Sequence, residues 1–327
     1  MKYKVYITSL FPDVVAEMLD PIALIKQWKE ESVLSYETLK HEIGDIEGLL
    51  CLRVDKIDAG IIKSAPQLKV ISNFAVGYDN IDISEATRRG IPVGYTPGVL
   101  SETTADLAFA LLMAAARRVA EADRYVRNGR WTVARQPFLM YGQDIHHATL
   151  GIVGMGQIGA EVARRGKGFQ MRILYNNRHR REDLEKELGA EYVSLPVLLS
   201  SSDFVSLHTP LNESTHRLIG RNELALMKPT AILINTARGQ IIDQQALYEA
   251  LKSGKIRGAG LDVIEIEPIP PDDPILKLDN VVFSPHVGSA TKATRDRMAK
   301  LAAENLIAGL AGQRLPYCVN PEVFNHI

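Results

Sequence analysis

The stretch "TLGIVGMGQIG", Thr149 to Gly159, decides the fold of this 327-residue chain. Its apolar half reads as a β-strand, and the glycines that follow, Gly154, Gly156 and Gly159, open a helix. Each glycine has its own reason. Gly154 permits the tight turn, Gly156 lets a pyrophosphate approach the backbone, and Gly159 allows close helix–strand packing. The helix start then offers N–H groups and a positive dipole end to phosphate oxygens. A bare GxGxxG is weak evidence, because glycines punctuate many loops and a nucleotide-free α/β turn has the same look. The strand before it and the helix after it supply the context that dinucleotide binding needs.

Outward from this turn, strand-like runs alternate with helical segments in both directions. Downstream stand "RILYN", "DFVSLHT", "AILINT", "GAGLDV" and "VVFSP", which with "TLGIVG" make six strand candidates, the count of a complete dinucleotide-binding sheet. Upstream, "KVYIT", "EGLLCL", "LKVISNF" and "IPVGYT" alternate with "SYETLKHEIG" and "DISEATRRGI", again the pattern of βαβ units. Residues 101–128 read as one long helix, with Ser101 as N-cap, Thr104 at the third helical position and Gly129 as the stop. A last helix, Thr291 to Ala311, follows the finished sheet, and the N-terminal unit is its available neighbour. The expected fold class is α/β: two Rossmann-like or flavodoxin-like parallel-sheet domains with a cleft between them. The expected boundaries are 1–100 plus 289–327 for a substrate-binding lobe and 101–288 for the dinucleotide lobe.

At the end of the second strand of the dinucleotide series stands "YNNRHRRE", Tyr175 to Glu182. Asn176 lies seventeen residues beyond Gly159, where an acid would hold both ribose hydroxyls of NAD. A carboxylate there would repel a 2′-phosphate. This chain has Asn176 and Asn177, then Arg178, His179, Arg180 and Arg181. Arginine suits bidentate capture of phosphate. The expected cofactor is NADP(H), with NAD(H) possible; a solvated basic loop without a ligand is the bland alternative.

Composition narrows the partners. A formal charge of -1 and a pI near 6.7 give no general reason to expect nucleic acid or an acidic membrane surface. The start "MKYKVYITSL" reads as a first strand rather than a signal peptide, and no run reaches the roughly 18 apolar residues that span a bilayer. Two distant cysteines, Cys51 and Cys318, without metal spacing suit a reducing cytoplasm and no metal site. With 46% hydrophobic residues the chain can bury a large core.

Three polar residues sit at strand ends in the second half, where open α/β sheets bind ligands: Arg238 in "NTARG", Glu267 in "VIEIEP" and His286 in "SPHVGSAT". Alone, each has an ordinary structural or solvated explanation. Together they meet one chemical need. Reducing a 2-keto acid takes a cation for the carboxylate and carbonyl, a proton donor for the carbonyl oxygen, and a carboxylate that orients that donor and favours its protonated form.

With "VGYDNID", "TTAD", "GIVGMGQIG", "NTARGQIID", "GLDVIEIEP" and "PHVGSAT" in order and at family spacing, the chain resembles the D-isomer-specific 2-hydroxyacid dehydrogenase family over essentially its full length. Within it, the chain is most similar to the glyoxylate/hydroxypyruvate reductases and 2-ketogluconate reductases, and "YGQDIHHATLGIVGMGQIG", "ILYNNRHR" and "CVNPEV" point towards the bacterial 2-ketogluconate reductase branch. The resemblance implies that Arg238 binds the substrate carboxylate, His286 donates the proton and Glu267 tunes His286. It implies substrate contacts from Val76 and Gly77, and it makes Ser289 and Arg53 candidates. It implies a cofactor site built from Thr104, the turn Gly154, Met155, Gly156, Gln157, Ile158 and Gly159, and the loop residues Asn176, Asn177, Arg178, His179 and Arg181. His208, Thr209, Pro210, Thr215, Thr236, Ala237, Arg238, Asp262, His286 and Gly288 complete that set. The substrates expected are glyoxylate, hydroxypyruvate and 2-keto-D-gluconate, reduced to D-2-hydroxy acids. A homodimer is implied, with "WTVARQPFLMYG" (131–142) as a candidate contributor to its interface. Phosphoglycerate dehydrogenase and a non-enzymatic dinucleotide-sensing scaffold are the rival readings.

Overall fold

The computed structural model describes residues 2–30, 32–134 and 137–326. The chain divides into two compact units, residues 1–100 with 290–327 and residues 101–289, so that Ser289 falls in the second.

The first unit is built on a five-stranded parallel sheet of β1 (Tyr3–Ile7), β2 (Ala23–Gln27), β3 (Gly48–Cys51), β4 (Val70–Asn73) and β5 (Val93–Gly94), in the order β2-β1-β3-β4-β5. Central β3 and β4 are buried along their whole length, which is why they read as continuous apolar runs. The edge strand β2 is absent from the sequence expectation. Only Ala23 of its five residues is buried, so "ALIKQ" carries little apolar signal. The last helix, Lys292–Leu310, packs on this sheet and is capped by the Thr291 hydroxyl accepting from the Thr294 N–H at 3.2 Å. Small residues let it lie close. A Cβ on Gly309 would fall 2.4 Å from Val70 Cγ2, and one on Gly94 would fall 2.7 Å from Asn305 Cβ. The Ser72 hydroxyl of β4 donates to the Ala302 carbonyl at 2.8 Å and fastens the two.

The second unit holds a seven-stranded parallel sheet. Its strands are β6 (Thr149–Val153), β7 (Arg172–Asn176), β8 (Glu191–Tyr192), β9 (Phe204–Leu207), β10 (Ile232–Asn235), β11 (Gly258–Leu261) and β12 (Val281–Phe283), in the order β12-β11-β10-β9-β6-β7-β8. The order reverses at β6, which places the glycine-rich turn at the switch point where such sheets take ligands. Six of these strands are the six expected. The seventh, β8, is two exposed residues on an edge and has no periodicity to detect.

The helix expected over 101–128 is two helices, Ser101–Ala116 and Val119–Arg127. The break falls at Arg118, whose φ of 53° is left-handed, so no continuous hydrogen-bond ladder can pass through it. Ser101 is the first residue of its helix rather than a cap outside it, and Gly129, at φ 68°, follows the end of the second helix. Cores form on both faces of the sheet: Phe109, Leu112, Ile152 and Tyr175 on one, Leu198, Val205, Leu233 and Leu247 on the other. Among the described residues, no helix is long and apolar enough to cross a membrane.

Candidate active site

The glycine turn follows β6 and starts the helix Gln157–Gly168. Gly154 takes φ +99°, and a Cβ there would lie 2.7 Å from the His208 carbonyl carbon and 2.8 Å from the Thr209 nitrogen. The turn after β6 therefore lies directly against the loop after β9, which only glycine permits. A Cβ on Gly159 would lie 2.3 Å from the Gly154 carbonyl oxygen, so the helix packs tightly on its own turn. At Gly156 the space is open, with nothing within 4 Å of where a Cβ would stand. This is a cradle: two crowded glycines set the backbone and the one between them leaves room above the helix start.

Two hydroxyls in the loops after neighbouring strands are buried without a hydrogen-bond partner among the described residues, Thr209 Oγ1 after β9 and Thr236 Oγ1 after β10. Buried hydroxyls are normally paired, so orphans beside an open glycine cradle fit a polar ligand. The donor set therefore fits a dinucleotide. His208 is held by Ser206, whose hydroxyl lies 2.8 Å from Nε2, and desolvation pushes its imidazole down to about 3, so it is neutral at physiological pH. Thr215 donates to the Pro210 carbonyl at 2.6 Å and shapes the loop between them.

The basic loop is more internally tied than its sequence suggests. Asn176, expected to replace the ribose-binding acid, instead turns its amide to the Val193 carbonyl at 2.8 Å. Asn177 Oδ1 accepts from the Met155 N–H at 2.8 Å and so pins the glycine turn. Arg180 pairs in two-pronged fashion with Glu185, and Arg181 pairs with Asp183 while reaching the Met155 carbonyl at 3.2 Å. The Tyr175 hydroxyl joins these by donating to Glu185 and accepting from the Arg181 N–H. Arg178 and His179 stand exposed at the tip.

The catalytic candidates gather at the ends of β10, β11 and β12. His286 Nδ1 lies 2.8 Å from Glu267 Oε2, and both side chains are about a quarter exposed, at 29% and 25%. His286 adopts φ 55°, an uncommon region for a residue with a Cβ. Asp262 explains how it is held. His286 N–H donates to the Asp262 carbonyl, and the buried Asp262 carboxylate accepts from Ser284 Oγ, Val287 N and Gly288 N at 2.6–2.9 Å. Asp262 thus acts as the strut of the histidine loop. Thr104 joins it: a Cβ on Gly288 would lie 3.3 Å from Thr104 Cγ2.

Arg238 is coupled to the Glu267 loop through its neighbour. A Cβ on Gly239 would sit 1.9 Å from the Ile264 carbonyl, so the turn carrying Arg238 is pressed against the segment leading to Glu267. Gln240 Nε2 donates to the Glu265 carbonyl at 2.7 Å and closes the contact. The Asn235 side chain accepts from the Ala237 N–H and donates to the Arg238 carbonyl, which fixes the turn itself. Asn235 went unnoticed in the sequence, as did Tyr175; only buried polar residues at apolar strand ends would have signalled them.

In the first unit, Arg53 follows β3 and Val76–Gly77 follow β4, beyond the C-terminal ends of adjacent parallel strands. Both loops are held by buried polar side chains that sequence reasoning missed, Asp55 and Asn73. Burial pushes the Asp55 carboxyl above its ordinary range, against the opposing pull of the Thr8 hydroxyl. Of the expected interface segment 131–142, Trp131, Phe138 and Tyr141 are exposed, while Arg135 and Gln136 lie outside the described residues.

Residues 109–288 match the family model for the NAD binding domain of the D-isomer specific 2-hydroxyacid dehydrogenases. A glyoxylate reductase of Korarchaeum cryptofilum is 57% identical over 323 residues, covering 99% of this chain and 97% of that one. Among solved structures, a protein of Thermus thermophilus is similar with a TM-score of 0.91 at 44% identity, covering 97% of this chain and 99% of the other. An NADPH-dependent glyoxylate/hydroxypyruvate reductase from Sinorhizobium meliloti, in complex with NADP and malonate, has a TM-score of 0.86 at 31% identity, covering 99% of this chain and 98% of its own.

Proposed function

The chain belongs to the D-isomer specific 2-hydroxyacid dehydrogenase family, and on that premise we propose that it reduces glyoxylate and related 2-keto acids with NADPH. The observation that carries the reading is the 2.8 Å pair of His286 Nδ1 and Glu267 Oε2, standing at the same end of the sheet as the glycine cradle. The dinucleotide, when bound, supplies a hydride to the substrate C2.

The chain's own groups do the rest. Gly154, Gly156 and the helix start at Gln157 would hold the pyrophosphate, and the unpaired Thr209 and Thr236 hydroxyls would be available to the cofactor. Arg238 receives the substrate carboxylate and polarises the ketone, a role for which a planar, always charged guanidinium is suited. Glu267 holds Nδ1 of His286, which leaves Nε2 to give its proton to the developing alkoxide. Val76 and Gly77 would offer backbone N–H groups to the carboxylate, and Arg53 and Ser289 are further candidate substrate contacts. The product is a D-2-hydroxy acid.

Preference for NADPH rests on Arg178 and His179 at the exposed loop tip and on the absence of an acid at Asn176. Arg181 serves that site indirectly, by holding the glycine turn to the loop. Exposed Trp131, Phe138 and Tyr141 support a homodimer through that segment, and two free thiols suit a reducing cytoplasm.

The test is a substrate panel. Glyoxylate, hydroxypyruvate and 2-keto-D-gluconate are each presented with NADPH and with NADH, and oxidation of the cofactor is followed. Glyoxylate turnover faster with NADPH is the expected result. No turnover with any acid would remove the enzymatic reading, and faster turnover with NADH would remove the cofactor preference.

A further inference from the structure

We propose that Asn80 is a positioning residue: its carboxamide clamps the loop after β3 to the loop after β4 and thereby sets the groups that receive the 2-keto acid. The inference rests on the reading of Val76–Gly77 as the carboxylate-binding loop.

Asn80 stands three residues beyond Gly77 and faces both loops. Its Nδ2 donates to the Leu52 carbonyl at 3.2 Å and to the Asp55 carbonyl at 2.9 Å, on either side of Arg53 and Val54. Its Oδ1 accepts from Asn73 Nδ2 at 3.2 Å, and the same Asn73 group donates to the Gly77 carbonyl at 2.9 Å. One amide therefore bridges three points of two loops. Only a carboxamide both donates twice and accepts at that length.

The far ends of the bridge are anchored in the core. Asp55, buried at 5% exposure, accepts from the Thr8 hydroxyl at 2.5 Å and from the Leu52 N–H at 2.7 Å. Asn73 is fully buried at the end of β4. On the receiving side, the Ala75 carbonyl accepts from the Thr96 N–H at 2.9 Å. Because the C=O and N–H of a trans peptide point in opposite directions, this aims the Val76 N–H away from Thr96. With the Gly77 carbonyl tied to Asn73, both peptide planes flanking the Val76–Gly77 bond are fixed. Loosening Asn80 frees the Leu52–Asp55 turn directly and removes a second anchor from the Asn73 amide that holds the Gly77 carbonyl. Such a change acts on substrate capture, because it leaves Arg238, Glu267 and His286 untouched.

The experiment compares wild type with Asn80→Ser, which is too short to bridge, and Asn80→Asp, which keeps the shape but loses both donors. Ser72→Ala is the control, since it removes a buried hydrogen bond from β4 to the last helix and takes away none of the Asn80 or Asn73 amide contacts. The expected result is a KM for glyoxylate raised about tenfold in both Asn80 variants, with kcat and the dinucleotide KM changed by less than about twofold. Ser72→Ala lowers the melting temperature and leaves the glyoxylate KM alone. If Asn80→Ser does not fold, the isosteric Asn80→Asp carries the decision. An unchanged glyoxylate KM in a folded Asn80 variant overturns the inference. So does a uniform decline of all parameters that matches the control. A wild-type protein that does not turn over glyoxylate at all overturns the underlying reading, and the inference with it.

Discussion

The Asp262 carboxylate holds the Gly288 N–H at 2.9 Å, and through this contact a buried acid at the end of β11 shapes the loop that presents His286. Three donors from the Ser284–Gly288 loop converge on that carboxylate. Asp262→Asn replaces one acceptor with a donor that faces an N–H group. Stability should fall by about 1–3 kcal/mol, the cost of an unsatisfied buried group. The shift of His286 should lower kcat by roughly ten- to a hundredfold. Thermal melting and steady-state kinetics check both; normal melting with normal kcat would show that the strut is dispensable.

His286 and Glu267 make separable predictions. On its proposed role as proton donor, His286→Ala should lower kcat by about 10²–10⁴. Glu267→Gln keeps a hydrogen-bonding partner for Nδ1 but removes the charge, so its loss should be smaller. NADPH binding, read by fluorescence titration, should be nearly unaffected in both variants. Near-normal turnover in His286→Ala would assign the proton to another group.

How much of this was legible beforehand follows from the type of signal each feature leaves. The glycine turn was readable because backbone conformation and close approach restrict residue type at Gly154 and Gly159. Arg238, Glu267 and His286 could be singled out as candidates because the proposed chemistry would restrict residue type there too. The break at Arg118 was not, since nothing in "AAARRVAE" forbids a continuous helix; a left-handed residue there shows no Gly, Asn or Pro. The edge strands β2 and β8 bury too little to leave a pattern. Asn80 stands in the motif "VGYDNID", yet its partners lie 25 and 28 residues away, and spacing of that kind is invisible without the fold.

The cofactor loop yields a discriminating pair. Arg180 is already engaged with Glu185, whereas Arg178 stands exposed at the tip. Arg178→Ala should raise the KM for NADPH about tenfold or more and leave that for NADH nearly unchanged. Arg180→Ala should affect both cofactors alike, through the loop it braces. The reverse assignment, with Arg180 selective and Arg178 silent, would move phosphate recognition to the other side chain.

Gly309 tests the packing of the last helix. At an exposed helical site, glycine to alanine stabilises by about 1 kcal/mol. Here the added carbon would stand 2.4 Å from Val70 Cγ2 and 2.5 Å from Val70 Cβ, far inside contact distance. Overpacking of this kind costs about 1–3 kcal/mol, so the sign should reverse and Gly309→Ala should melt lower than wild type. A higher melting temperature would mean that the helix shifts outward at little cost.

Acid should loosen the cofactor loop before the sheet beneath it. The Arg180 guanidinium, helped by the Tyr175 hydroxyl, draws the Glu185 carboxyl down from its ordinary 4.5 to about 2. A carboxyl depressed on folding contributes stability above its unfolded value and loses it as pH falls through the folded one. The contribution of Glu185 is therefore complete above about pH 4.5 and disappears towards pH 2. Asp183, drawn down to about 2 by Arg181, titrates in the same window, so both braces open together. Glu185→Gln should be less stable than wild type at pH 6, and its stability should fall less steeply between pH 4.5 and 2. Urea melts of the two proteins across that range measure the difference. Parallel curves would mean that the Arg180–Glu185 contact is no stronger in the folded chain than in the unfolded one.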